Sequence, residues 1–302
     1  MIAFRPITID DRDWMSEKLR EDDRQGCEYS FANNFIWSVI YKVEVAEVCG
    51  CCVIKFDAEG EDCYAFPIGA GDKKAAIMQL LTHAKEDNSK LYIESIEEAD
   101  REFLEKYFSG IFQIEENRDS FDYIYSGEEM RLLPGRKYSK MKNRISRFQR
   151  DYGDRAEIVL LGPEDEPEIL QFLDRWSSKK ESDDALNRLD SEETGIREAI
   201  RFCREAEITI AGVRVNGILE AFSMGTECKE TDMTVTHVEK ADTELRGLYN
   251  YLEKEFLLHS YPETGLVNRE DDMGLENLRR TKESMHPVRM EKKYTILERE
   301  RN

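Results

Sequence analysis

The chain has 302 residues, 40% of them hydrophobic, with 14 Phe and 13 Tyr; this supports one large or two ordinary packed domains and excludes a disordered chain. No apolar run approaches the about 18–20 residues that a membrane-spanning helix needs, and the opening MIAFRPITIDDRDW lacks the basic and apolar regions of a secretory signal, so a cytoplasmic protein without a membrane span is expected. A formal net charge of −20 argues against DNA, or any polyanion bound by the surface at large, while leaving room for a local basic site.

Residues 1–7 read as a strand, 10–21 as a helix with an acidic first turn, and 30–41 as a second, mostly apolar helix. Two strands, 42–56 and 63–71, flank the turn-like DAEGED. A helix at 72–86, a strand at 90–96, a helix at 97–108 and a long strand at 111–127 follow. From residue 156 the order recurs: a strand at 156–162, helices at 166–180 and 191–206, and two strands within 208–227 about the turn VNG. A strand at 232–241, a long helix at 243–260, a strand at 264–270, a helix at 275–284 and a closing strand at 288–298 complete it. Strands alternating with helices predict an α/β chain of two tandem domains, each a mixed sheet flanked by helices. The expected division is 1–130 for the first domain, 131–152 for a basic connecting helix and 153–302 for the second domain.

Seven cysteines in a chain with no secretory signal point to thiols rather than a disulfide framework. Cys49, Cys51, Cys52 and Cys63 lie close together, but the spacing is CxCC, not the paired CxxC of a zinc site. On one strand, alternation would put Cys49 and Cys51 on one face and Cys52 on the other. No metal centre is expected, and no P-loop, GxSxG, HExxH or full GxGxxG occurs.

Three stretches collect charge. From Arg131 to Arg150 there are eight basic residues and no acid. On a helix Lys140, Arg144 and Arg147 share one face while Ile145 and Phe148 point elsewhere, toward a core. Such a face either lies against an acidic neighbour or meets phosphates. In the second stretch, THVEKADTELRGLYNYLEKEF, charged residues gather where a strand ends and a helix begins, a place that favours ligands and anions. Asp242 or Thr243 can serve there as N-cap, which leaves Glu239 and Lys240 without a capping role. The third, NREDDMGLENLRRTKESMHP, sets acids at a helix start and bases near its end, which suits the macrodipole. It also puts Asn268 and Arg269 at a strand end beside acids, with Arg279 and Lys282 projecting together.

These same segments, with SFANNFIW, FPIGAGD and GRKYSKMKNRISRFQRDYG, resemble a bacterial family of uncharacterised proteins similar to the C-terminal catalytic domain of lysylphosphatidylglycerol synthases. The resemblance covers most of the chain. It implies two tandem GNAT-like (acyl-CoA N-acyltransferase) domains, akin to the Fem-type peptidoglycan aminoacyltransferases, and the transfer of an aminoacyl group from tRNA to an acceptor. The acetyltransferase pyrophosphate loop [Q/R]xxGx[G/A] is met only by ELRGLY, Glu244 to Tyr249. Gly247 is kept, an acid stands first and a bulky Tyr249 third, and Arg246 offers a compensating charge. The expected activity is therefore acyl or aminoacyl transfer without a covalent enzyme intermediate, from aminoacyl-tRNA or, as the alternative, acetyl-CoA or another acyl-CoA, to an amine or hydroxyl on a small molecule, peptide or lipid headgroup; a non-catalytic GNAT-like binding module is the other alternative. Lys140, Lys142, Asn143, Arg144, Arg246 and Gly247 are expected to hold donor phosphates, including the acceptor end of a tRNA. Glu239 or Asp271 is expected to act as general base, and Lys282, with Arg279, to stabilise the developing oxyanion. Asn268, Arg269, Asp272, Arg279, Lys240 and Tyr249 are expected to bind the acceptor.

Overall fold

A computed structural model describes residues 2–22, 24–58, 60–179, 183–229 and 231–300, with backbone alone for 183–191. In chain order the elements are β1 (Arg5–Pro6), α1 (Arg12–Arg20), α2 (Phe31–Ile36), β2 (Glu44–Val48), β3 (Cys51–Ala58), β4 (Glu61–Tyr64), α3 (Lys73–Glu86), β5 (Tyr92–Ile96), α4 (Glu98–Tyr107) and β6 (Phe112–Glu116). There follow β7 (Asp122–Ser126), α5 (Gly127–Leu132), α6 (Ser139–Tyr152), β8 (Ala156–Leu161), α7 (Glu166–Ser177), α8 (Asp183–Arg201), β9 (Thr209–Val215), β10 (Ile218–Cys228) and β11 (Met233–Ala241). The last are α9 (Leu248–Ser260), β12 (Leu266–Asn268), α10 (Glu276–Glu283), β13 (Arg289–Glu291) and β14 (Tyr294–Glu298). Lys180, at the end of the helix expected over 166–180, lies outside the described residues.

The strands form two seven-stranded sheets, in the orders β1-β2-β3-β4-β5-β14-β6 and β13-β7-β12-β11-β10-β9-β8. Each is mixed: β4 pairs parallel with β5 and β11 parallel with β12, among antiparallel neighbours. The chain forms two compact units, neither of them one continuous segment. The first holds Met1–Asp122, Asp271–Arg279 and Met290–Asn302, the second Tyr123–Glu270 and Arg280–Arg289. The end of the chain therefore supplies β14 to the first sheet, and β7 joins the second.

Three expected strands are each two. Residues 42–56 are the hairpin β2–β3, with Val48 opposite Cys51 and the turn at Cys49 and Gly50, whose φ angles are 52° and 80°. A two-residue turn with both φ positive matches the twist of its strands. Cys49 thus sits in the turn, while Cys51 and Cys52 are both buried, because this strand is covered on both faces. All seven cysteines are free thiols. Residues 111–127 are β6 and β7, parted by a 3-10 turn at Arg118–Ser120, and residues 288–298 are β13 and β14; in both cases the two strands belong to different sheets.

The first unit packs α3 and α4 on its sheet through Ile77, Leu80, Leu81, Leu104 and Phe108. Asp72 caps α3 by accepting from Ala75 N, 2.9 Å. In the second unit α6 buries Ile145 and Phe148, three residues apart on one face. Phe148 joins Val213, Val215, Leu248 and Leu252 in the core, a burial worth about 1.5–3 kcal/mol. Ile145 packs with Leu133 and Tyr138. This anchoring fixes which side of α6 faces water.

Candidate functional site

The second unit carries the splayed part of its sheet. β11 pairs with β12 only from Met233 to Val235, against Leu266 to Asn268, whereas its pairing with β10 continues to Ala241. Beyond Val235 β11 has no strand pairing with β12 among the described residues, and the two strands part there. Glu239 and Arg269 meet there: Arg269 Nη2 contacts the Glu239 carboxylate, and Nη1 contacts Glu253 from α9 and lies 3.0 Å from Met285 Sδ. One guanidinium is shared by two carboxylates, so burial leaves one negative charge uncompensated. Burial pushes the Glu253 carboxyl up to about 8. It also pulls Arg269 below its ordinary value, but a guanidinium flanked by two carboxylates stays charged. Glu253 is absent from the sequence expectations. Its signal is a charged residue inside the apolar stripe of α9, where Leu248, Leu252, Phe256 and Leu257 are buried and Glu253 with them.

Asn268 is fully buried and accepts from Glu270 N through Oδ1, 2.7 Å. Lys282 donates to the carbonyls of Arg269 (2.6 Å) and Glu270 (3.2 Å), so its ammonium holds the turn that carries Arg269. Lys240 alternates to the other face of β11 from Glu239, with Nζ 2.6 Å from Glu192 Oε1 and 4.4 Å from the centroid of the Trp176 ring. On that face a cleft of about 250 Å³ is lined by Arg175, Trp176, Lys179, Glu220, Asp242 and Tyr249, among others. Lys179 donates to Asp242 (2.9 Å) and Glu244 (3.0 Å), and Arg175 to the Leu219 carbonyl at 2.6 Å. Burial would raise the Asp242 carboxyl, but Lys179 and the Glu244 N–H outweigh it and hold it below the usual carboxylate range. Burial raises Glu220 and the Tyr249 phenol.

Helix α9 starts later than the sequence suggests. Its N-cap is Gly247, at φ 95°, rather than Asp242 or Thr243; Asp242 instead closes a local turn by accepting from Glu244 N at 2.9 Å. A Cβ on Gly247 would lie 2.2 Å from the Arg144 carbonyl oxygen, so only glycine lets α6 and the start of α9 approach this closely. Arg246, just before, is exposed. On α6, Lys140, Lys142, Asn143 and Arg144 are all exposed. Arg147 and Arg150 pair with Asp151, and Lys137 with Glu129. Lys142 donates to the Gly135 carbonyl at 2.9 Å. The cations of Lys140, Lys142 and Arg144 thus remain without a carboxylate partner among the described residues.

Asp271, Asp272 and Arg279 belong to the first unit. Asp271 is half-buried and accepts from Met273 N, 3.0 Å. Asp272 is fully buried between Arg118 (3.1 Å) and Arg279 (2.9 Å from both Nε and Nη2). Arg279 also reaches Asp119 at 2.7 Å. The same unit holds a group with metal-ligating atoms: Cys27, Glu28 and Asp122 present them within 4.8 Å of one another. The Lys293 ammonium lies among them, 2.6 Å from both Glu28 oxygens, 2.7 Å from Asp122 Oδ1 and 3.7 Å from Cys27 Sγ, and supplies the positive charge a metal would bring.

Residues 20–297 match the family model described as phosphatidylglycerol lysyltransferase, C-terminal. A crystal structure of a conserved protein of unknown function from Bacteroides thetaiotaomicron superposes with a TM-score of 0.89 at 30% identity, covering 99% of this chain and 100% of that one. L-PGS from Bacillus licheniformis superposes with a TM-score of 0.71 at 14% identity, over 100% and 95% of the two chains. A tandem GNAT protein from the clavulanic acid biosynthesis pathway does so at 0.50 and 10%, over all of both. An uncharacterized protein of Mycoplasmoides gallisepticum is 22% identical over 185 residues, 60% of this chain and 57% of that protein, so the chain spans less than two thirds of that relative. The fold is two GNAT-like α/β domains in tandem, each built on one seven-stranded sheet. Among the described residues no helix is long and apolar enough to cross a membrane.

Proposed function

Since this chain belongs to the phosphatidylglycerol lysyltransferase C-terminal family, a family of acyl and aminoacyl transferases, we propose that it moves an aminoacyl group from tRNA to an amine or hydroxyl acceptor. The observation that carries this reading is the exposed, acid-free cation set Lys140, Lys142 and Arg144, placed where Arg144 abuts the glycine that opens α9. In a molecule of net charge −20, keeping such a face unneutralised costs favourable pairing unless a polyanion meets it. Arg246, exposed just before α9, and the positive end of the α9 dipole add to the same anion-binding region.

In this reading the donor's phosphates lie along α6 and its aminoacyl ester enters where β11 and β12 part. Glu239, fixed by Arg269, takes the proton of the attacking acceptor, and Glu253 keeps Arg269 in place from behind. The cleft beside Trp176 and Tyr249 lies on the other face of β11 from Glu239, so it holds the distal part of the acceptor while the reacting group reaches Glu239 where the strands part. Asp242 and Glu220 there suit an ammonium, and Lys179 and Arg175 a carboxylate or phosphate on the same molecule. Lys282, bound to main-chain carbonyls, holds the Arg269–Glu270 turn.

Filter binding of aminoacyl-tRNA across a salt series tests the proposal. Wild type should bind with a steep salt dependence, and Lys140→Glu or Arg144→Glu should each lower the slope of log K against log salt by about 1. Unchanged slopes in both variants would remove the phosphate role of α6. Micromolar binding of coenzyme A with no binding of tRNA would replace the donor by acyl-CoA.

A further inference from the structure

A second constellation in the same unit lies outside that scheme. Thr226 stands on β10, His237 on β11, and Glu270 two residues past the end of β12. Thr226 Oγ1 is 2.9 Å from His237 Nε2, and His237 Nδ1 is 3.0 Å from Glu270 Oε1. An ionised carboxylate only accepts hydrogen bonds, so Glu270 fixes the imidazole proton on Nδ1. Nε2 then accepts from the Thr226 hydroxyl. The pairing of β10 with β11 passes from Met224 opposite Val238 to Gly225 opposite Thr236. His237 is therefore the residue that the β-bulge leaves without a cross-strand partner, and bulges of this kind re-aim a side chain. The imidazole is wholly enclosed, the Glu270 side chain is 20% exposed, and Thr226 is half-buried. Of the hydrogen-bonded pair Thr226 and His237, Thr226 is thus the less enclosed.

We propose that Thr226, His237 and Glu270 form an acyl-accepting centre that cleaves small activated esters, with Thr226 as nucleophile, His237 as general base and Glu270 as its positioning residue. This is the arrangement of nucleophile, base and orienting group that activates an otherwise weak hydroxyl. Thr226 Oγ attacks the ester carbonyl while its proton passes to His237 Nε2. The carbon–oxygen bond to the leaving group then breaks, and the departing alkoxide takes that proton, leaving an acyl-threonine. Water attacks this second ester and gives a proton to Nε2. The proton returns to Thr226 Oγ as the carboxylic acid departs.

The test is p-nitrophenyl acetate with the full chain, followed by stopped-flow absorbance and peptide mass mapping. Wild type should release a burst of nitrophenol stoichiometric with protein and carry one acetyl group on Thr226. Thr226→Val, which keeps the side chain's shape, should lose both, and Thr226→Ser should retain both. His237→Gln should slow acylation by about 10³-fold or more. Acetyl groups found only on lysines, burst kinetics unchanged in Thr226→Val, or Thr226 acylated at the same rate in His237→Gln would each overturn the proposal. The reagent needs neither tRNA nor coenzyme A, so its outcome is independent of the donor-binding test above.

Discussion

The main-chain oxygen of Arg144 lies so near Gly247 that a Cβ there would sit 2.2 Å away. Gly247 also has φ 95°. A side chain at this position thus meets two penalties, left-handed backbone and collision with a helix that is itself anchored by Ile145 and Phe148. Gly217 isolates the first: its φ is 78°, and a Cβ there would meet nothing within 4 Å. Gly217→Ala should cost about 1 kcal/mol of unfolding free energy in urea, and Gly247→Ala roughly 3 kcal/mol. Equal losses would mean that the approach of α6 to α9 places no demand on the sequence. If the contact does place the cations of α6, Gly247→Ala should also weaken tRNA binding in protein that remains folded.

Lys293 gives a second expectation. It is fully buried, as is its partner Asp122, and Glu28 completes the set. Burial alone would lower the ammonium, but Asp122, Cys27 and Glu28 hold it well above its ordinary value. Lys293→Met should cost about 3–5 kcal/mol, because it strands the buried Asp122 charge. Adding Asp122→Asn should recover part of that loss, giving a coupling well away from zero in a double-mutant cycle by chemical denaturation. Additive losses would show that the pair is not held together as the distances indicate.

Much of this was legible from residue patterns because it is local. Asp72 before an apolar-periodic run marks α3, and the spacing of Ile145 and Phe148 against Lys140 and Arg144 gives the orientation of α6. Asn216 and Gly217, with φ angles of 54° and 78°, mark the β9–β10 hairpin. What escaped depends on partners far along the chain. The polar run EENRDS, residues 115–120, marks a break between β6 and β7, but nothing local shows that β6 and β7, or β13 and β14, join different sheets. Cys49 and Gly50 could have been read as a turn, but cysteine is not a residue that turn chemistry flags. In the candidate site, Glu239 and Arg269 drew notice as charged residues at strand ends. Glu253 shows locally only as a charge inside the apolar stripe of α9; its role comes from Arg269, which reaches it only once β12 lies against β11. Likewise, Thr226, His237 and Glu270 are ordinary residues until the bulge in β10–β11 pairing sets them in line.

Asp272 carries an expectation for the first unit. Its carboxylate meets Arg118 and Arg279 and also accepts from Gly274 N at 3.0 Å, all from a fully buried position. Asp272→Ala should therefore cost about 2–4 kcal/mol, as two arginines and a main-chain N–H lose one acceptor. Asp272→Asn, which keeps an oxygen but not the charge, should fall between that variant and wild type. Thermal and urea unfolding of both variants measure this. A neutral Asp272→Ala would mean that the arginines find solvent without cost.

Glu253 predicts a dependence of stability on pH. Its folded carboxyl is pushed up to about 8 by burial, whereas an unfolded glutamate titrates near about 4.3. Between these values the folded state holds a proton that the unfolded state has released, so the native state binds more protons and stability falls as pH rises. The contribution is whole below about pH 4.3, declines through the window up to about pH 8, and is flat beyond it. Glu253→Gln keeps a neutral, hydrogen-bonding side chain at all pH values and removes this decline. Unfolding free energies measured at pH 5 and pH 9 should show the variant gaining on wild type by on the order of a few kcal/mol at the higher pH. A difference that stays constant across that range would show that Arg269 neutralises Glu253 fully, with the surplus charge carried by Glu239 where β11 and β12 part.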